Sequence, residues 1–172
     1  MYAKSNRVVQ VNPLNEVVLS ADDQGATTFM LVKCRAWDTV SEALRPRCFS
    51  LVDTNRPGWY VRHRGFFLYV DPEPESDLQL FDLASSFILH SDKFYPGYYA
   101  LESVDYPNYY IQSSVYGRLR ITLQSDTAVY HDTASFTMSG YSTIGEWFLL
   151  VCLIRGVDLL MPLCFESTVQ WE

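Results

Sequence analysis

The chain has 172 residues, 48% hydrophobic, 15% aromatic and 19% charged, and its 13 basic and 20 acidic residues give a formal net charge of -7. That length fits one domain with enough apolar material for a core, which excludes a disordered chain and a scaffold held by disulfides alone. The acidic balance argues against nucleic acid and anionic membrane surfaces as partners, because both are repelled by net negative charge. The opening Met1-Tyr2-Ala3-Lys4-Ser5-Asn6-Arg7 has no apolar core of a signal peptide, so the chain reads either as cytosolic or as a piece whose leader lies elsewhere. Of the four cysteines, at 34, 48, 152 and 164, none forms a Cys-x-x-Cys pair, so a structural zinc site is not expected. Cys34 and Cys48 could bridge in an oxidising compartment, but the sequence alone favours free thiols.

From residue 1 to about 140, runs of Val, Tyr, Phe, Leu and Thr alternate with turn formers: Asn12-Pro13, Arg56-Pro57-Gly58, Asp71-Pro72, Tyr95-Pro96-Gly97 and Tyr106-Pro107-Asn108. Strand-length runs bounded in this way, without a sustained helical stripe, predict an all-β domain. Val40 to Leu44 allows one helical turn. Two segments open alike, Phe49-Ser50-Leu51-Val52-Asp53 through Trp59-Tyr60 and Tyr99-Ala100-Leu101-Glu102-Ser103 through Tyr109-Tyr110. Val11-Asn12-Pro13-Leu14 matches Val70-Asp71-Pro72-Glu73, and Ala26-Thr27-Thr28-Phe29 matches Ala84-Ser85-Ser86-Phe87 and, in its last residues, Ala134-Ser135-Phe136. Three copies of a unit of roughly 50 residues must pool their apolar faces in a closed arrangement. A β-trefoil of three pseudo-repeats meets that need, with Phe29, Phe87 and Phe136 as one core wedge per repeat. The first repeat is incomplete at its N-terminus, since Met1-Tyr2 aligns with the aromatic pair that should come after an opening strand.

Residues 1–142 are therefore read as the trefoil and 143–172 as an apolar C-terminal tail of uncertain role. Within the tail, Trp147 to Ile154 is an unbroken apolar run, and Arg155 and Asp158 separate it from the apolar residues 159–165. Two charges in mid-run argue against a membrane span, so a buried strand or short helix is expected there. Phe165-Glu166-Ser167-Thr168 is similar to Leu101-Glu102-Ser103-Val104 and is one candidate for the missing opening strand.

Gly58-Trp59-Tyr60-Val61-Arg62-His63, then Leu68-Tyr69-Val70-Asp71-Pro72, then Asp82 with Ala84-Ser85-Ser86-Phe87 resembles the alpha-L-arabinofuranosidase B-type carbohydrate-binding domain. That family repeats a phrase of the form Tyr-Pro-Gly-Tyr-Tyr-Leu-Arg-His, an apolar strand, and Asp-Ala-Thr-Phe. The resemblance implies a β-trefoil with pockets for arabinofuranose side chains, lined by the repeat histidine and the aspartate before Ala-Thr-Phe. His63 and Tyr60 occupy matching positions. Leu83 stands directly before Ala84 with Asp82 one residue earlier, Gln112-Ser113 replaces Arg-His in the last repeat, and Thr133 separates Asp132 from Ala134. In the first repeat Lys4-Ser5 stands at the Arg-His place, and Gly25 precedes Ala26 with Asp23 further back.

A sugar site needs a carboxylate to accept from hydroxyls, a second polar group, and an aromatic wall. The middle repeat offers Trp59, Tyr60, His63 and Asp82, and the last offers Glu102, Tyr109, Tyr110 and Asp132. The run Asp71, Glu73, Glu75, Asp77 lacks the glycine and terminal Glu of a calcium loop and reads as a solvated acidic turn. No carboxylate pair is singled out for glycosidase chemistry, and His131-Asp132 near Ser135 has no nucleophile elbow. The expectation is a non-catalytic glycan-binding module without cofactors, part of a larger extracellular protein. The alternative is a degenerate trefoil serving a protein partner or a structural role.

Overall fold

The computed structural model describes residues 7–21, 25–143 and 146–153. Among the described residues, twelve strands and two short helices occur in the order β1 (Arg7–Val11), β2 (Val17–Ser20), β3 (Phe29–Lys33), β4 (Cys48–Asp53), β5 (Trp59–Arg64), β6 (Phe67–Pro72), α1 (Leu78–Ala84), β7 (Phe87–Ser91), β8 (Tyr99–Ser103), β9 (Tyr109–Ser113), β10 (Leu119–Leu123), α2 (Ala128–Thr133), β11 (Phe136–Thr143) and β12 (Glu146–Leu153). The strands keep the two-residue period of a half-buried sheet: Val61 and His63 of β5 point inward, as do Leu68 and Val70 of β6. Val40–Leu44 holds no helix. A turn there leads into a 3-10 turn at Arg45–Arg47. The two helices were not foreseen. Each sits between a hairpin and the next strand, and buries one or two residues: Phe81 and Ala84 of α1, and Tyr130 of α2. Thr127 caps α2 by accepting from the Tyr130 amide.

Antiparallel pairing closes on itself. β3, β4, β7, β8, β11 and β12 form one ring of neighbours, and β4, β7, β8, β9, β10, β6 and β5 form a closed circuit of seven. Three hairpins hang from the first ring: β1–β2 on β12, β5–β6 on β4, and β9–β10 on β8. This all-β topology is β-trefoil-like. The strand that flanks β1 and β3 is β12, in the stretch read from sequence as a tail, where the apolar run was expected to be a strand or short helix. Phe165–Thr168, the segment proposed for that role, lies outside the described residues.

The register repeats around the ring. Phe29 faces Asp53 and Leu149, Phe87 faces Ser103 and Phe49, and Phe136 faces Leu153 and Tyr99. All three phenylalanines are at most 1% exposed and share one core cluster with Val61, Leu68, Val70, Leu101, Ile111 and Ile121. Burying one such ring stabilises by roughly 1.5–3 kcal/mol. The hairpins also lock to one another head to flank. The Val70 amide donates to the Asn15 carbonyl at 2.8 Å, Ile121 to Phe66 at 2.8 Å, and Leu19 to Gly117 at 2.7 Å. Each accepting residue is left-handed, with φ of 60° at Asn15, 70° at Phe66 and 80° at Gly117.

Cys34 and Cys48 form a disulfide with Cα atoms 5.3 Å apart, which overturns the free-thiol reading. The sequence shows two cysteines bracketing a loop, whereas pairing depends on β3 and β4 being antiparallel neighbours, which brings the bracket ends together. Among the described residues no helix is long and apolar enough to cross a membrane.

Candidate functional site

The predicted group Trp59, Tyr60, His63 and Asp82 divides. Alternation along β5 puts Tyr60 and His63 on opposite faces of the strand. Tyr60 meets Phe81 of α1 edge to face at 6.0 Å. Trp59 packs on the main core, with the Arg56 guanidinium 4.6 Å above its ring and Arg56 in turn paired with Asp53 at 2.7 Å. His63 faces the connection between β8 and β9.

Tyr60 and Asp82 do converge, on a residue the sequence reading missed. Arg35, next to the disulfide, donates from Nε to Asp82 and from an Nη to Glu73, both at 2.6 Å. Its guanidinium lies 4.7 Å over the Tyr60 ring and 5.4 Å over Phe81. Burial works against this charge, but hydrogen bonds with Glu73, Tyr60 and Asp82 outweigh it, so Arg35 holds its proton more firmly than usual. The loop behind Arg35 is fixed by buried serines. The Arg35 amide donates to Ser50 Oγ at 3.1 Å, the Ala36 amide to Ser86 Oγ at 2.9 Å, and Ser86 Oγ to the Asp82 carbonyl at 2.7 Å. Between this loop and α1 runs a groove of about 200 Å³ lined by Arg35, Asp38, Thr39, Gln79, Asp82 and Leu83, with Ala36 at its base.

The acidic run is divided as well. Asp71 pairs with Arg62 at 2.7 Å and Arg64 at 3.0 Å, and Glu73 is held by Arg35. Two of its carboxylates are therefore fixed in ion pairs, and only Glu75 and Asp77 fit the solvated turn that was expected.

In the last repeat, Glu102 and Tyr110 come together. Glu102 accepts from the Asn108 amide at 2.7 Å and from the Tyr110 hydroxyl at 3.3 Å, and its Oε2 lies 2.7 Å from His90 Nε2. Burial would raise the Glu102 pKa, but these hydrogen bonds overcome it and hold the carboxyl below its usual range. Burial and the Glu102 charge push the Tyr110 phenol up. Phe94, from the β7–β8 connection, sits where Arg35 sits in the other cluster. It is edge-on to Tyr110 and Tyr130 at 5.4 and 5.7 Å and stacked on His131 at 4.8 Å. Asp132 stands apart, accepting from the Tyr95 hydroxyl at 2.8 Å. Ser135 Oγ donates to the His131 carbonyl at 2.7 Å, a helix-end bond like that of Ser86.

Tyr109 belongs to a third cluster, at the seam between the second and third hairpins. Phe66, Tyr106 and Tyr109 contact one another there, and His63 lies edge-on beneath Tyr106 at 5.3 Å. His63 Nε2 is 3.2 Å from Asp105 Oδ2, yet out of line for a hydrogen bond, so this buried nitrogen has no hydrogen-bond partner. Burial lowers the His63 pKa more than Asp105 raises it. Among the described residues no three His, Cys, Asp or Glu side chains cluster as metal ligands.

The sequence profile of the alpha-L-arabinofuranosidase B (ABFB) domain matches residues 11–138. No curated protein matches the chain. Among solved structures, an arabinofuranosidase complexed with arabinofuranosyl-alpha-1,2-xylobiose aligns with TM-score 0.55 and 18% identity, over 80% of this chain and 31% of that one. A GH54 α-L-arabinofuranosidase variant soaked with 4-nitrophenyl α-L-arabinofuranoside gives the same four values, TM-score 0.55, 18%, 80% and 31%. The pro-inflammatory cytokine interleukin-36alpha aligns with TM-score 0.54 and 17% identity over 86% of this chain and 87% of that one. At such identities the likeness is one of fold. The chain spans 31% of those two arabinofuranosidase chains, less than a third.

Proposed function

The chain belongs to the alpha-L-arabinofuranosidase B domain family, and from that premise we propose that it is a non-catalytic carbohydrate-binding module for arabinofuranose-bearing glycans, acting as part of a larger extracellular protein. We infer three pseudo-symmetric lobes, a reading supported by the repeated register of Phe29, Phe87 and Phe136 and by the repeated closure at Asn15, Phe66 and Gly117. The Cys34–Cys48 bridge supports an oxidising compartment.

The observation that carries the binding reading is the groove beside Arg35. Vicinal sugar hydroxyls need donors and acceptors side by side, and Arg35, Asp38, Thr39, Gln79 and Asp82 provide both around a volume of about 200 Å³. That is below the size of pockets for drug-like ligands and suits one monosaccharide unit. The ion pairs of Arg35 hold the donors in place before a ligand arrives, which limits the ordering cost of binding.

Calorimetric titration with arabinose-substituted xylo-oligosaccharides tests the reading. Binding that falls about tenfold or more in Asp82→Ala and Gln79→Ala is the expected result. The absence of binding to any arabinose-bearing glycan at millimolar concentration refutes it. A second reading, a trefoil serving a protein partner, is favoured by one observation: Phe94 fills the lobe-three position that Arg35 leaves beside a groove in lobe two.

A further inference from the structure

The three hairpin turns share one backbone conformation and one bonding role, but their side chains differ. Lobe one places Asn15 there and lobe three Gly117, the residue types that tolerate a left-handed backbone. Lobe two places Phe66, φ 70°, where the Cβ of an ordinary residue costs roughly 1–2 kcal/mol. The closure bond from Ile121 uses only the Phe66 carbonyl, so the ring is not needed for it. A bulky residue kept in a strained conformation that its counterparts avoid points to a use for the side chain.

The ring is also placed for one. Phe66 is 43% exposed and Tyr106 39% exposed. Tyr109, partly buried against the main core, stacks on Phe66 at 21° with centroids 5.9 Å apart, and Tyr106 leans against both at 5.2 and 5.5 Å. The hairpin turn supplies one ring and the β8–β9 connection and β9 the other two, so the platform spans two lobes. At its edge stands the Asp105 carboxylate, an acceptor for hydroxyls, with the buried His63 Nε2 3.2 Å behind it and making no in-line hydrogen bond.

We propose that the exposed rings of Phe66 and Tyr106, backed by Tyr109, form a stacking platform for pyranose rings of a linear glycan chain, with Asp105 accepting from their hydroxyls. Pyranose rings carry apolar C–H faces that pack on aromatic faces, and their equatorial hydroxyls project sideways to the rim. Phe66 and Tyr106 are open to solvent, whereas the Arg35 groove encloses about 200 Å³ and carries charged, amide and hydroxyl side chains. The two sites therefore read different parts of a branched polysaccharide, the main chain and a side unit. This proposal rests on the glycan-binding reading above.

The test measures binding of xylohexaose, cellohexaose and an arabinose-substituted xylotriose to wild type, Phe66→Asn and Tyr106→Ala, alongside thermal melting. Phe66→Asn installs the residue of lobe one in a conformation that lobe one already shows, so the fold is expected to be retained with an equal or higher Tm. Affinity for a linear hexaose is expected to fall about fivefold to tenfold in both variants, while the arabinose contribution, read with Gln79→Ala, stays within about twofold. Linear chains bound equally by wild type and both variants, or arabinose-substituted glycan bound with no affinity for linear chains, overturns the platform alone. A Tm several degrees lower in Phe66→Asn with unchanged glycan binding assigns the ring to packing and also overturns it. Failure of every glycan to bind overturns the parent reading with it.

Discussion

Arg35 Nε and Asp82 Oδ1 lie 2.6 Å apart and join the disulfide-bounded loop to α1. The pair is fixed in space by different means at each end: the arginine by stacking over Tyr60 and Phe81, the aspartate by its place on a helix whose end is tied by Ser86. It therefore both joins two elements and shapes the groove between them.

Arg35→Lys separates those two roles. Lysine keeps the charge but loses the planar fork that serves Asp82 and Glu73 together and the face-on contact with Tyr60. Because the side chains are partly solvated, 16% exposed for Arg35 and 26% for Asp82, the stability loss is expected to be only about 1 kcal/mol. Glycan affinity at the groove is expected to fall further than stability. Urea denaturation and calorimetry on the same variant provide the comparison, and equal affinity for wild type and variant would count against the groove as a binding site.

The Cys34–Cys48 bridge closes a loop with a sequence separation of 14. A bridge over a loop of that size stabilises by about 3 kcal/mol through the unfolded chain. The paired Cys34→Ser, Cys48→Ser variant is expected to show that loss in guanidinium denaturation. Wild type under reductant converges on the variant only as it unfolds, since both cysteines are buried at 2% exposure or less. Amide exchange in residues 35–47 rises in the variant if the bridge is what keeps Arg35 in position.

The all-β hairpin topology was legible in the sequence because it is written in local terms: a Pro-Gly or Pro-Asn turn, an aromatic pair, and a phenylalanine opening the next strand. The sites were not. His63 and Tyr60 sit three residues apart and look like one constellation, yet strand alternation sends them to different seams. Arg35 reaches Asp82 across 47 residues and Tyr106 meets Phe66 from the β8–β9 connection, and no local pattern encodes such meetings. The helices α1 and α2, of 7 and 6 residues, are too short to show a period and owe their stability to buried contacts. In the opposite direction, Phe66 carried a signal that went unread. A large aromatic directly after Gly65, at a hairpin turn, is an odd choice for a left-handed position.

His63 and Glu102 predict how stability depends on pH. Burial lowers the His63 pKa from 6.5, against the pull of Asp105 and with the help of Arg62, the charged groups that face it, while the aromatic edges of Tyr106 lie above it. The unfolded chain then binds a proton that the native state refuses, so stability falls as pH drops below about 6.5 and levels off below the native value. Glu102 is also lowered, from 4.5, as hydrogen bonds from His90, Asn108 and Tyr110 outweigh its burial. Its contribution is present above the unfolded value and is lost as pH falls through the native one. Both groups make the protein more stable at pH 7 than at pH 4. His63→Gln is expected to flatten the profile between pH 7 and 5 while leaving the drop below pH 5 in place. A variant with the wild-type slope between pH 7 and 5 would show that His63 does not titrate out of step with the unfolded chain.

Gly117 offers a test of the hairpin closure independent of any ligand. Its carbonyl accepts from Leu19 at 2.7 Å, and a Cβ added to it would stand 3.2 Å from the Leu19 carbonyl oxygen at φ 80°. Gly97 has almost the same backbone, φ 77°, but nothing within 4 Å of the added atom. Gly97→Ala therefore reports the left-handed cost alone, roughly 1–2 kcal/mol. Gly117→Ala adds a tight contact that the Leu19 carbonyl must relieve by a few tenths of an ångström, straining the bond that ties hairpin three to hairpin one, and is expected to cost about 1 kcal/mol more. The excess should appear in urea denaturation and in faster exchange of the Leu19 amide, with the Val70 and Ile121 amides affected less. Equal losses in the two variants would mean that the third hairpin does not depend on this closure, and the same comparison at Asn15 and Phe66 would then be expected to show no closure effect either.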